Sequence, residues 1–89
     1  MLVLVDITHV GDQVDLQEAQ DKLDNVMTRM GFTKLRELNE ARVRHVYYDL
    51  HDMRMGVGPE YLSDRIREMN QRPDRHRSEC KLIANQSMQ

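Results

Sequence analysis

Between Leu2 and His9 the side chains alternate, with Val3, Val5 and Ile7 on one side and Leu2, Leu4, Asp6 and Thr8 on the other. Alternation of this kind, rich in β-branched residues, predicts a strand. Gly11-Asp12 breaks the pattern. The apolar spacing then changes to threes and fours, and Leu16, Ala19, Leu23, Val26, Met27 and Met30 form one stripe of a helix. Asp15 with Glu18 makes a capping-box-like start for that helix, and Gly31 suits the position just past its end.

Phe32 to Leu38 predicts a second strand, Asn39-Glu40 a turn, and Val43 to His51 a third strand antiparallel to the second. Gly56-Val57-Gly58 reads as another turn. Pro59 fits the first position of a second helix, where a missing N–H is tolerated, and Leu62, Ile66 and Met69 give that helix a narrower stripe. Pro73 closes the helical region, Gln71 to Glu79 is polar, and Cys80 to Asn85 predicts a final strand before a frayed tail at 86–89. The order β-α-β-β-α-β predicts an α+β, ferredoxin-like domain over residues 1–85, a four-stranded antiparallel sheet with both helices on one face. Its other face is then bare, with Leu2 and Leu4 directed to it. An apolar bare face predicts a homodimer or a surface for a partner.

A chain of 89 residues holds one domain. Its longest apolar run, Met1 to Val5, is far shorter than the roughly 20 residues of a spanning helix. No basic segment precedes that run, so the expectation is a cytoplasmic protein that does not enter the membrane. The single cysteine, Cys80, excludes an internal disulfide and reads as a small core residue. Charge is unevenly placed: residues 1–40 carry eight acids and four bases, net −4, and residues 41–89 carry seven acids and nine bases, net +2. That two-sidedness argues against a broad nucleic-acid surface, which needs a marked basic excess. It fits a protein that meets a charged partner, or its own copy, through oriented faces. Arg65, Arg67, Arg72, Arg75, Arg77 and Lys81 form the main basic cluster, but the interleaved Glu68, Asp74 and Glu79 make it a solvated face.

The densest chemistry lies in HVYYDLHD, residues 45–52. On a regular strand Arg44, Val46, Tyr48 and Leu50 face the core, while His45, Tyr47, Asp49 and His51 line the bare face. His45 and His51 are then about 20 Å apart, too far to hold one metal ion together. Asp49 with His51 remains as a pair, and the alternative is a wet or partner-contacting strand face. Along the first helix Asp15, Glu18, Asp21 and Asp24 leave a negative band beside the apolar stripe, able to dock on a basic partner or to stand solvated. Ser63, Ser78 and Ser87 lack a strand-to-helix elbow, Cys80 lacks an activating neighbour, and the Gly56–Pro59 turn lacks a Walker lysine.

Asp6 follows a nearly all-apolar run, in LVLVDIT, and is costly to bury without a partner. With that aspartate late in the first strand, the chain resembles the small ferredoxin-like nucleases of the CRISPR-adaptation type and the virulence-associated D toxins. The resemblance spans the chain as topology and implies a dimer in which Asp6 of each subunit helps to hold Mg²⁺ or Mn²⁺ for phosphodiester cleavage. The residues themselves favour a different function: a non-enzymatic interaction protein, a regulator or viral-type inhibitor, needing no cofactor. It would bind a protein through Asp15, Glu18, Asp21 and Asp24 on the helix and through Leu2, Leu4, His45, Tyr47 and Asp49 on the sheet. The metal-dependent ribonuclease stands as the second expectation. An RNA-binding module is third, since only Tyr47 beside His45 matches the aromatic-plus-basic strand pattern.

Overall fold

A computed structural model describes residues 2–10, 12–50, 59–71 and 78–86. Its elements are β1 (Leu2–His9), α1 (Gln13–Arg29), β2 (Thr33–Glu40), β3 (Val43–Asp49), α2 (Pro59–Asn70) and β4 (Ser78–Gln86). The strands form one sheet in the order β2-β3-β1-β4, every neighbouring pair antiparallel. This is the α+β arrangement that the order of elements predicts, with α1 and α2 packed on the same face. The core lies between those layers. Val3, Val5 and Ile7 of β1, Val46 and Tyr48 of β3 and Cys80 of β4 meet Leu16, Leu23 and Met27 of α1 and Leu62 and Ile66 of α2. Phe32 closes one end, with its ring edge-on to Tyr48 at 6.5 Å.

Several boundaries differ from the sequence reading. The cap of α1 is Asp12, whose Oδ1 accepts the Asp15 N–H at 2.9 Å, so the helix is capped three residues before the Asp15–Glu18 box. Asp12 wins because it immediately follows the break at Gly11 and leaves its carboxylate free to turn back on the first turn. The hairpin turn is Ala41-Arg42 instead of Asn39-Glu40, because Glu40 still pairs with Val43. Arg42 adopts φ 64°, a left-handed conformation that side chains resist, and its carbonyl accepts the His9 N–H at 3.0 Å. β3 stops at Asp49, two residues short of the predicted His51, which with Asp52, Gly56–Gly58 and Pro73 lies outside the described residues. β4 begins at Ser78 and takes in Gln86, which pairs with Leu2 and so belongs to the strand and not to a tail.

Two devices hold the layers in register. Asp24 of α1 accepts hydrogen bonds from Tyr48 Oη at 2.7 Å, Gln20 Nε2 at 3.0 Å and Lys34 Nζ at 3.2 Å, tying the helix to β2 and β3. At the outer edge of β4, the Asn70 side-chain amide donates to the Cys80 carbonyl at 2.6 Å and accepts the Cys80 N–H at 3.0 Å. It acts as a further strand would, and blunts that edge.

Candidate functional site

The open face of the sheet follows directly from the strand register. Its side chains form rows that cross β2, β3, β1 and β4 in turn. The first row is Thr33, Asp49, Leu2 and the Gln86 position; the second is Arg36, Tyr47, Leu4 and the Ala84 position; the third is Leu38, His45, Asp6 and Lys81; the last is Glu40, Val43, Thr8 and Glu79. The half with Leu2, Leu4 and Tyr47 is the more apolar, though it includes Asp49 and Arg36, and the half with Asp6, His45, Lys81, Glu40 and Glu79 is the more charged, though it includes Leu38 and Val43.

In the apolar half, Leu2, Leu4, Leu35, Arg36 and Tyr47 line a shallow groove of about 470 Å³. The Arg36 guanidinium lies over the Tyr47 ring, 5.2 Å from its centroid, so the groove wall is both aromatic and cationic. Two bulges shape the flanks. β2 slips register between Lys34 and Arg36, and β1–β4 pairing slips beside Leu4. Leu35 at the first bulge and Ile83 at the second are 52% and 48% exposed, although each is a large apolar side chain. Bulges re-aim side chains in this way.

In the polar half, His45 lies between two carboxylates. Its Nδ1 is 2.6 Å from Asp6 Oδ1 and its Nε2 is 3.3 Å from Glu40 Oε1. A neutral imidazole can donate from one nitrogen only, so serving both carboxylates requires the imidazolium. Accordingly the hydrogen bond to Asp6 raises the His45 pKa above its ordinary value; partial burial opposes the rise, and the charges of Asp6 and Glu40 reinforce it. Asp6 and His45 are half-buried, whereas Glu40 stands mostly in solvent.

These contacts account for Asp6. Its carboxylate is partnered across β1–β3 by a residue of the HVYYDLHD segment, a pairing that only the strand register reveals. Among the described residues no three His, Cys, Asp or Glu side chains converge as donors to a metal ion. Within one chain Asp6 Oδ1 is instead engaged by His45 Nδ1 at 2.6 Å. Cys80 is buried, and that burial pushes its thiol up to about 12, far from a nucleophilic thiolate.

The structure brings together Leu2, Leu4, Asp6, His45, Tyr47 and Asp49 on the open face. It does not bring the acidic helix to them. α1 packs on the opposite face, so no single flat partner touches both surfaces. The acidic band is also divided. Asp24 is engaged with Tyr48, Gln20 and Lys34, and Asp15 accepts the Ser78 hydroxyl at 2.6 Å. Glu18 and Asp21 are exposed, Asp21 accepting from Gln17 Nε2 at 2.9 Å. Sequence reasoning missed Leu35, Arg36, Leu38, Glu40 and Ile83. A bulge shifts the phase of a strand by one residue, so alternation counted along the chain does not assign their faces. The available signal was TKLREL, where apolar residues fail to alternate with a consistent period.

No helix among the described residues is long and apolar enough to cross a membrane. No protein-family model, curated protein or solved structure matches the chain.

Proposed function

We propose that this chain is a non-enzymatic interaction protein that binds or inhibits a protein partner through the open face of its sheet. The observation that carries this reading is the groove formed by Leu2, Leu4, Leu35 and Tyr47 beside the Asp6–His45–Glu40 row. Apolar surface in a groove supplies affinity, and a charged row beside it supplies orientation. The exposed acids of α1, Glu18 and Asp21, lie on the other side of the molecule and are secondary to it.

The test is affinity capture by the tagged protein from a cell lysate treated with ribonuclease, comparing wild type with Tyr47→Glu and with the Glu18→Lys, Asp21→Lys double variant. A protein held by wild type and by the helix variant, and lost with Tyr47→Glu, is the expected result. Equal capture by Tyr47→Glu, or capture abolished by ribonuclease, would overturn the reading.

The metal-dependent ribonuclease reading has one observation in its favour: Asp6 faces the open side of the sheet, where another copy could approach it. It requires Mg²⁺- or Mn²⁺-dependent RNA cleavage that Asp6→Asn abolishes with the fold intact. Cleavage at the same rate by that variant rejects it.

A further inference from the structure

The groove on the open face contains one charged side chain. Of the residues that line it, Leu2, Leu4, Leu35 and Tyr47 among them, Arg36 alone carries charge. Its guanidinium lies over the Tyr47 ring, and among the described residues no carboxylate or carbonyl is paired with it. The neighbouring cations differ. Lys34 on the same strand holds Asp24 and Glu37, and Arg44 donates to Asn39 and Gln20. An aromatic ring attracts a guanidinium through its face and leaves the N–H groups around the edge of the fork free. Tyr47 therefore holds a cation in place without satisfying it.

What completes such a site is an acceptor with two oxygens. The guanidinium fork matches a carboxylate or a phosphate bidentately, and it sheds its water more readily than an ammonium does. The rest of the face chooses between those two. Its rows carry Asp49, Asp6, Glu40 and Glu79 against Arg36, Lys81 and His45. A nucleic acid binds by neutralising several phosphates along its backbone, and those acids oppose it. A single carboxylate on an apolar segment is not opposed in this way, since Arg36 can take it while Leu2 and Leu4 take the side chain beside it. Adjacent strands are about 4.8 Å apart, so Leu4 on β1 sits one strand beyond Tyr47, and the carboxylate and its apolar neighbour need to be about 5–7 Å apart. Alternate side chains on an extended segment have that spacing.

We infer that the groove takes an acidic and apolar segment of a protein partner, with a Glu or Asp carboxylate on Arg36 and an apolar side chain two positions away against Leu2 and Leu4. The inference rests on the open-face reading above and deepens it, by naming the chemistry of the segment and the residue that selects it. Arg36 is then a specificity-determining residue, acting through its charge and the shape of its fork. An uncharged segment covers the guanidinium and leaves it unpaired, and a basic one is repelled.

The experiment is selection of peptides from a phage-displayed random heptamer library on the immobilised full chain, in parallel on wild type, Arg36→Glu and Tyr47→Glu. Wild type should enrich peptides with an acid and an apolar residue two positions apart. Arg36→Glu should enrich peptides with Lys or Arg in place of the acid, an inversion that a merely structural role of Arg36 does not produce; circular dichroism confirms the fold of each variant. For the most enriched peptide, replacing its acid by the amide should weaken binding to wild type at least about tenfold in fluorescence anisotropy, and should change binding to Arg36→Gln by less than about twofold. Peptides without an acid, an unchanged set on Arg36→Glu, or no enrichment over Tyr47→Glu would overturn the inference. So would a uridine decamer bound more tightly than the selected peptides and lost with Arg36→Glu, which would assign the groove to nucleic acid. Self-association of wild type that the selected peptide does not displace would assign it to a second copy and overturn the inference as well. Where any of these comes with Tyr47-dependent capture of a protein from the lysate, the carboxylate assignment alone fails and the open-face reading stands.

Discussion

The two faces of the sheet are drawn from alternate residues of the same strands, and they differ in what satisfies them. On the covered face Val3, Val5, Ile7, Val46 and Tyr48 are at most 2% exposed, and the buried Tyr48 Oη is bonded to Asp24. On the open face Leu2, Leu4 and Tyr47 are half-buried without a layer above them, and the polar row is satisfied sideways, strand to strand, through His45. One face is packed against helices; the other leaves Leu2, Leu4 and Tyr47 partly uncovered. Substitutions should therefore register as stability on the first face and as association on the second.

The largest expected effect tests that division. Leu23→Ala opens a void beneath the covered face and should cost about 2–5 kcal/mol in urea unfolding, while Leu4→Ala at a dilute, single-chain concentration should cost about 1 kcal/mol or less. Equal losses at the two sites would erase the distinction. Next comes Asp24→Ala, which leaves the buried Tyr48 hydroxyl and the Gln20 amide without their acceptor and should cost about 1–3 kcal/mol. The double variant Asp24→Ala, Tyr48→Phe should recover part of that loss, and failure to do so would show that Asp24 acts elsewhere.

The smallest effect sharpens the comparison from the open side. The His45 pKa is raised in the folded chain, so the stability contributed by its imidazolium is complete below its ordinary value of 6.5 and is lost as pH rises through the folded value. The groups facing that ring are Asp6 from β1 and Glu40 from β2, both acidic. Wild type should therefore lose melting temperature relative to His45→Gln as pH rises from mildly acidic to mildly alkaline. NMR titration of the ring should place its midpoint above 6.5. A midpoint at or below that value, with parallel melting curves, would remove the imidazolium bridge. None of these changes should alter the covered face, where Tyr48 is held protonated by burial and by its bond to Asp24.

Much of the site could be read from local pattern, and its connections could not. Alternation in LVLVDITH placed Asp6 on the bare side, and alternation in HVYYD placed His45 and Tyr47 there too. Nothing in either segment says that Asp6 sits opposite His45, because register is a relation between strands. The acidic band illustrates the converse: helical spacing grouped Asp15, Glu18, Asp21 and Asp24 correctly on α1, yet Ser78, Tyr48 and Lys34 arrive from other elements to engage two of the four.

By itself, then, the sequence determined the type and order of the elements, the buried set and the existence of an open sheet face, because periodicity and turn residues act over a few positions of one chain. Tertiary structure alone decided the bulges that expose Leu35 and Ile83, the bridge of Asp6, His45 and Glu40, and the separation of the acidic helix from the groove. Those features depend on which residues of distant segments become neighbours, and that is set by pairing the strands and closing the layers.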